Sequence, residues 1–89
     1  MIAKLDGATV LMLSNKGSYG SIEIVGHPNE AIEVRYLAIC KYGGGDGIYL
    51  FLCDDEMSVE QDALFDSVDE ALANAQRRSP EMIQWEFAE

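Results

Sequence analysis

Val34-Arg35-Tyr36-Leu37-Ala38-Ile39-Cys40-Lys41-Tyr42, then Gly43-Gly44-Gly45-Asp46-Gly47, then Ile48-Tyr49-Leu50-Phe51-Leu52-Cys53 reads as a β-hairpin, and its reading decides the fold. Both arms are rich in β-branched and aromatic residues, and a glycine-rich loop joins them. The second arm is six apolar residues in a row, so neither of its faces is built for water, as expected of an inner strand. Pairing Tyr42 with Ile48 across the five-residue loop sets Cys40 opposite Leu50 and Cys53 opposite Leu37. Side chains alternate along a strand, so this register sends the two sulfurs to opposite faces and forbids a disulfide; a slip of one residue reverses the assignment. In the same register Leu37 and Ile39 share a face with Tyr49 and Phe51.

Outward from the hairpin, the N-terminal side reads as short strands. Met1 to Leu5 is apolar apart from Lys4, Asp6-Gly7 is a turn signal, and Thr9 to Leu13 is a strand. Tyr19 to Val25 is the next strand, with Ile22 and Ile24 on one side, Ser21 and Glu23 on the other, and Gly20 as a candidate bulge. Gly26-His27-Pro28-Asn29 reads as a turn. On the C-terminal side, Asp54-Asp55-Glu56 ends the hairpin. Met57 to Phe65 is either a short helical turn, from the capping spacing of Ser58 and Gln61, or an extended segment along the sheet edge. Val68 to Arg77 is a helix. Ser67 and Glu70 form a capping box, and Val68, Ala71, Leu72 and Ala75 make one apolar stripe. Asp69 and Glu70 lie at the positive end of the helix dipole, Arg77 and Arg78 at the other, and Pro80 stops it. Ile83, Trp85 and Phe87 alternate with Gln84 and Glu86, so the chain closes with a strand.

These elements amount to a single α+β domain over residues 1–89: a mainly antiparallel sheet of about five strands with one helix across one face. Hydrophobic residues make up 48% and charged residues 25%, a globular balance. One short helix covers one face, while the inner strand is apolar on both. The other face therefore needs a cover: the N-terminal segment, a second copy of the chain, or another protein.

Charge narrows the function. Sixteen acidic residues against six Lys and Arg give a formal net charge of −10, which opposes binding to nucleic acid or an anionic membrane and suits a basic protein partner. No Lys or Arg lies between Tyr42 and Gln76, where Asp46, Asp54, Asp55, Glu56, Glu60, Asp62, Asp66, Asp69 and Glu70 fall. No catalytic set is legible. His27 sits in a turn without a triad spacing, and the glycine loop matches no phosphate-binding motif. Asp54-Asp55-Glu56 with Glu60 and Asp62 lacks the glycine of a calcium loop, Val59 standing there instead. Cys40 and Cys53 read as small core residues of a cytoplasmic protein, reduced and unbridged. The expected function is non-catalytic protein binding, with self-association as a homodimer the simplest version and no enzyme activity or cofactor; a small-ligand- or metal-binding protein, or an accessory subunit of an enzyme, is the alternative. No signal peptide and no membrane-spanning run is read. The partner-binding candidates are Leu37, Ile39, Tyr49 and Phe51 on the uncovered face and Asp54, Asp55, Glu56, Glu60 and Asp62 in the acidic window.

The run Tyr49-Leu50-Phe51-Leu52-Cys53-Asp54, then Asp62, Ser67-Val68-Asp69-Glu70-Ala71 and Trp85, resembles small acidic bacterial proteins, some of which look like immunity proteins of toxin systems. The resemblance implies a binding protein that neutralises a cognate toxin. It covers the C-terminal half and transfers no functional residue.

Overall fold

The structure, a computed structural model, describes residues 2–88, Pro28 by its backbone only. Met1, at the head of the expected N-terminal apolar run, lies outside them. In chain order the elements are β1 (Lys4–Leu5), β2 (Ala8–Ser14), β3 (Ser21–Ile24), β4 (His27–Glu33), β5 (Tyr36–Lys41), β6 (Ile48–Cys53), β7 (Val59–Phe65), α1 (Val68–Gln76) and β8 (Trp85–Phe87). The main sheet is six-stranded, in the order β1-β2-β5-β6-β7, with β8 also on β2. Every pairing in it is antiparallel. The fold is thus the expected α+β arrangement with one helix.

The β5–β6 register is one residue away from expectation. Tyr36 faces Cys53, Leu37 faces Leu52, Ala38 faces Phe51, Ile39 faces Leu50 and Cys40 faces Tyr49. Tyr42 does not continue the ladder. It turns out of the strand to pack its ring edge-on against Tyr49, with centroids 5.1 Å apart and planes at 86°. The loop that follows imposes no register of its own: Gly44 sits at φ +80°, where an L side chain is strained, and Gly45 N–H donates to the Tyr42 carbonyl at 3.3 Å.

The shifted register redistributes the core. Leu37, Ile39, Leu50 and Leu52 share the face under α1, where Ala71 and Ala75 are buried against them. Two alanines on the packing stripe let the helix lie close to the sheet. Ala8, Val10, Ala38, Cys40, Phe51 and Cys53 form a second buried cluster on the helix-free face, with Leu5, Leu13, Tyr36, Tyr49, Met57 and Val59 partly buried around it. Four floor positions there are Ala or Cys, and larger neighbours close over them. The chain itself therefore covers most of its second face, without a second copy or a partner. That removes the surplus of apolar surface the sequence implied.

Two further segments differ from expectation. His27 to Glu33 is a strand, not the continuation of a turn; the turn is Val25-Gly26, with Gly26 at φ +83°. Ile22 pairs with Ile32, and the irregularity expected at Gly20 falls between Glu23 and Ile24. β3 and β4 form a separate two-stranded ribbon. It is continuous with the sheet through Tyr19 N–H to the Val34 carbonyl and Val34 N–H to the Gly20 carbonyl, each 2.9 Å. The Met57 to Phe65 segment takes the extended alternative as β7.

The helix follows its sequence signals. Ser67 Oγ accepts from Glu70 N–H at 3.2 Å, as an N-cap should. The Glu70 carboxylate reaches one residue further back than a capping box requires, accepting from Asp66 N–H at 3.2 Å. At the other end of the chain β8 lies on β2, Trp85 opposite Ser14 and Phe87 opposite Met12.

Candidate functional site

Alternation places the nine sequence candidates in three different settings. Leu37 and Ile39 are fully buried beneath the helix, and Phe51 is fully buried on the opposite face. None of these three offers contact surface. The expectation that all of Leu37, Ile39, Tyr49 and Phe51 share one exposed face is corrected by the register: a one-residue slip exchanges the faces of one arm relative to the other. Tyr49 alone of the four is half-buried on the helix-free face, where its ring lies 6.2 Å from that of Phe51.

The acidic candidates divide as well. Asp54 is occupied inside the β6–β7 turn: its Oδ1 accepts from Glu56 N–H and Ser58 N–H, both at 2.9 Å. These bonds hold a turn in which Met57 adopts φ +65°. Asp55 is bridged to Lys16, whose ammonium holds the Asp55 carboxyl below its ordinary pKa. Glu56 is exposed. Glu60 stands in a β7 bulge, between Val59 opposite Cys53 and Gln61 opposite Leu52. Partial loss of hydration and the neighbouring Asp54 carboxyl raise its pKa. Asp62 is exposed on β7 opposite Phe51, on the helix-free face.

What comes together is an aromatic and acidic surface that the sequence reading did not assemble. Tyr42 lies edge-on to both Tyr49 and Phe51, and its hydroxyl donates to the Asp6 carbonyl at 3.3 Å. Desolvation, then Asp6 and Asp62, raise the Tyr42 pKa. The Cys53 thiol is pushed up to about 12 by burial first and then by Asp54, Asp6 and Glu60. Asp62, opposite Phe51, thus stands on the helix-free face, and Tyr36, Tyr42 and Tyr49 border it. Leu64, opposite Tyr49 on β7, is 61% exposed beside them. Tyr42 and Leu64 are the contact residues missing from the sequence candidates; the placement of Tyr42 after the strand, at the lip of a glycine loop, was the available signal.

β7 is the last strand in the sheet order and, among the described residues, pairs only with β6. Its outer edge carries backbone donors and acceptors toward solvent.

Other features are chemically plain. Two clefts of about 190 Å³ flank Asn15, one bounded by Tyr19, Pro80 and Met82, the other by Leu13 and Trp85; Glu81 lines the first and Glu86 the second. Among the described residues no group of three His, Cys, Asp or Glu side chains could hold a metal ion. His27 is exposed and lies 3.7 Å from Glu30, in the ribbon and away from the aromatic surface. No helix among the described residues is long and apolar enough to cross a membrane. The chain matches no protein-family model, no curated protein and no solved structure.

Proposed function

We propose that this chain is a non-catalytic protein-binding module whose partner is basic, engaged on the helix-free face. One observation carries the reading: three tyrosines border that face with Asp62 beside them on β7, in a chain of net charge −10. Aromatic rings give contact area at small entropic cost, and carboxylates around them select cationic partners and speed encounter. Toxin neutralisation by an immunity-type protein is the biological version, resting on the resemblance of the C-terminal half to small bacterial proteins. Two unbridged buried thiols support a cytoplasmic setting.

Self-association through β7 is less favoured. Antiparallel pairing of two copies about Gln61 would set Glu60 against Asp62, and like charges directly opposed destabilise a ladder.

Affinity capture with a charge-matched control tests the reading. The Asp54→Asn, Glu60→Gln, Asp62→Asn variant removes carboxylates at the site, while Glu23→Gln, Glu30→Gln removes two on the ribbon. The expected outcome is a basic protein held by the wild type and the ribbon variant, released by salt and lost from the site variant. The same proteins recovered with all three would overturn it.

A further inference from the structure

We propose that the partner enters as an extended segment that pairs with the outer edge of β7, and that a lysine or arginine of that segment lies beside Asp62 against the rings of Tyr49 and Tyr42. The proposal deepens the basic-partner reading and rests on it.

Three observations meet at this edge. β7 ends the sheet, and beyond the Glu60 bulge its residues 61–65 offer an added strand a regular edge of main-chain partners. Alternation divides its side chains cleanly beyond the bulge: Asp62 and Leu64 face the tyrosines, while Ala63 and Phe65 face the helix side, where Phe65 packs on the core. Charge settles the occupant. An incoming strand whose residues alternate would place one in two over Asp62, and a cation there meets a carboxylate where a second copy of this chain would meet repulsion.

Reach then brings in the rings. From an added strand to β6 is two strand spacings, about 10 Å; a Lys or Arg stem laid across Leu64 covers about 6 Å of it, and the Tyr49 ring, about as long, reaches from β6 to meet the cation. Tyr42 lies edge-on to Tyr49, and Asp62 stands opposite Phe51, against which both rings pack. A cation at the face of one ring and beside a carboxylate is attracted by both, and its apolar stem covers the exposed Leu64.

The test titrates isotopically labelled protein with a blocked octapeptide of alternating lysine and valine, and with its counterpart carrying norleucine for lysine. The lysine peptide is expected to shift and protect the β7 amides, to move the ring protons of Tyr42 and Tyr49, and to bind at least tenfold tighter than the norleucine peptide. Tyr42→Leu, which keeps an apolar side chain over Phe51, and Asp62→Asn, at an exposed position, should each weaken it about threefold to fivefold. Ring shifts without protection of β7 amides would overturn strand addition and leave the basic-partner reading standing. Protected β7 amides with unmoved rings, and an unchanged affinity in Tyr42→Leu, would overturn the cation site. No response at either place, or shifts spread evenly over the acidic surface, would sink both; the carboxylates then only guard the edge against aggregation.

Discussion

Cys40 lies opposite Tyr49 and Cys53 opposite Tyr36, so both thiols point to the helix-free face of the sheet, unbridged and buried. Four residues of strand separate the two pairs, and about 13 Å of rise is far beyond disulfide reach. Burial pushes both thiols up to about 12. A thiol in that state reacts only when the sheet opens. In the folded protein at pH 8, modification by a chromogenic disulfide reagent should therefore be slow, and its rate should rise with denaturant in parallel with unfolding. Rapid labelling of either cysteine in the folded state would show that the face is open.

Phe51 and Leu37 test the two cores separately. Both are fully buried, one on each face of the sheet. Leu37→Ala should cost about 2–5 kcal/mol and Phe51→Ala about 3–5 kcal/mol, read from urea unfolding at equilibrium. A near-neutral Phe51→Ala would mean that the tyrosines do not enclose it. In that case the uncovered-face argument drawn from the sequence returns.

Among the described residues Ser14 is the one buried polar residue of the core, 4% exposed. Its Oγ accepts from Leu37 N–H at 2.8 Å and donates to the Asn15 carbonyl at 3.0 Å. The contact joins β2 to the start of β5 just where the chain leaves for the ribbon. Ser14→Ala leaves the Leu37 amide buried without a partner and should cost about 1–3 kcal/mol. Hydrogen exchange should show the Leu37 amide losing its protection.

Glu60 and Asp55 should respond to pH in opposite senses. Partial loss of hydration and the Asp54 carboxyl raise the folded-state pKa of Glu60, an exposed residue, so folding favours its protonated form. Glu60 therefore detracts from stability at neutral pH, and that loss is recovered as pH falls through its folded value toward the ordinary 4.5. Glu60→Gln should be more stable than wild type at pH 7, and the gap should close on acidification. The hydrogen bond from Lys16 lowers the Asp55 pKa, so its contribution is present above the ordinary 3.8 and lost as pH falls through the folded value. Asp55→Asn should be less stable than wild type at pH 7, with a gap that closes only at lower pH. Denaturant midpoints across pH 3–7 check both signs.

Legibility followed the range of the interactions involved. Ser67 and Pro80 bracket the helix because a cap and a stop act within a turn or two of backbone. Ile22 and Ile24 mark a strand through alternation alone. His27 to Glu33 was hidden because its only apolar run, Ala31-Ile32, is short and follows Pro28, while its partner strand supplies the pairing. Among the candidate contacts, Asp62 and Tyr49 were legible as residues but not as neighbours of Tyr42, since that proximity requires the ladder to end at the glycine loop. Gly43 to Gly47 tolerates several closures, so nothing local counts the residues between Cys40 and Tyr49.

The sequence by itself determined the single helix with its ends, the hairpin strands and the inner character of Ile48 to Cys53, and the strong negative charge, but not the strand at His27 to Glu33 or the extended choice at Met57 to Phe65. These follow from periodicity, capping and composition, which act between near neighbours or need no geometry. Only the tertiary structure decided the register of β5 on β6, and through it which face Phe51, Cys40 and Cys53 occupy and that β7 ends the sheet beside the tyrosines. Register is chosen by how whole faces pack, with small residues lying under rings and leucines under the helix, and a strand apolar on both sides satisfies either choice until its neighbours are in place.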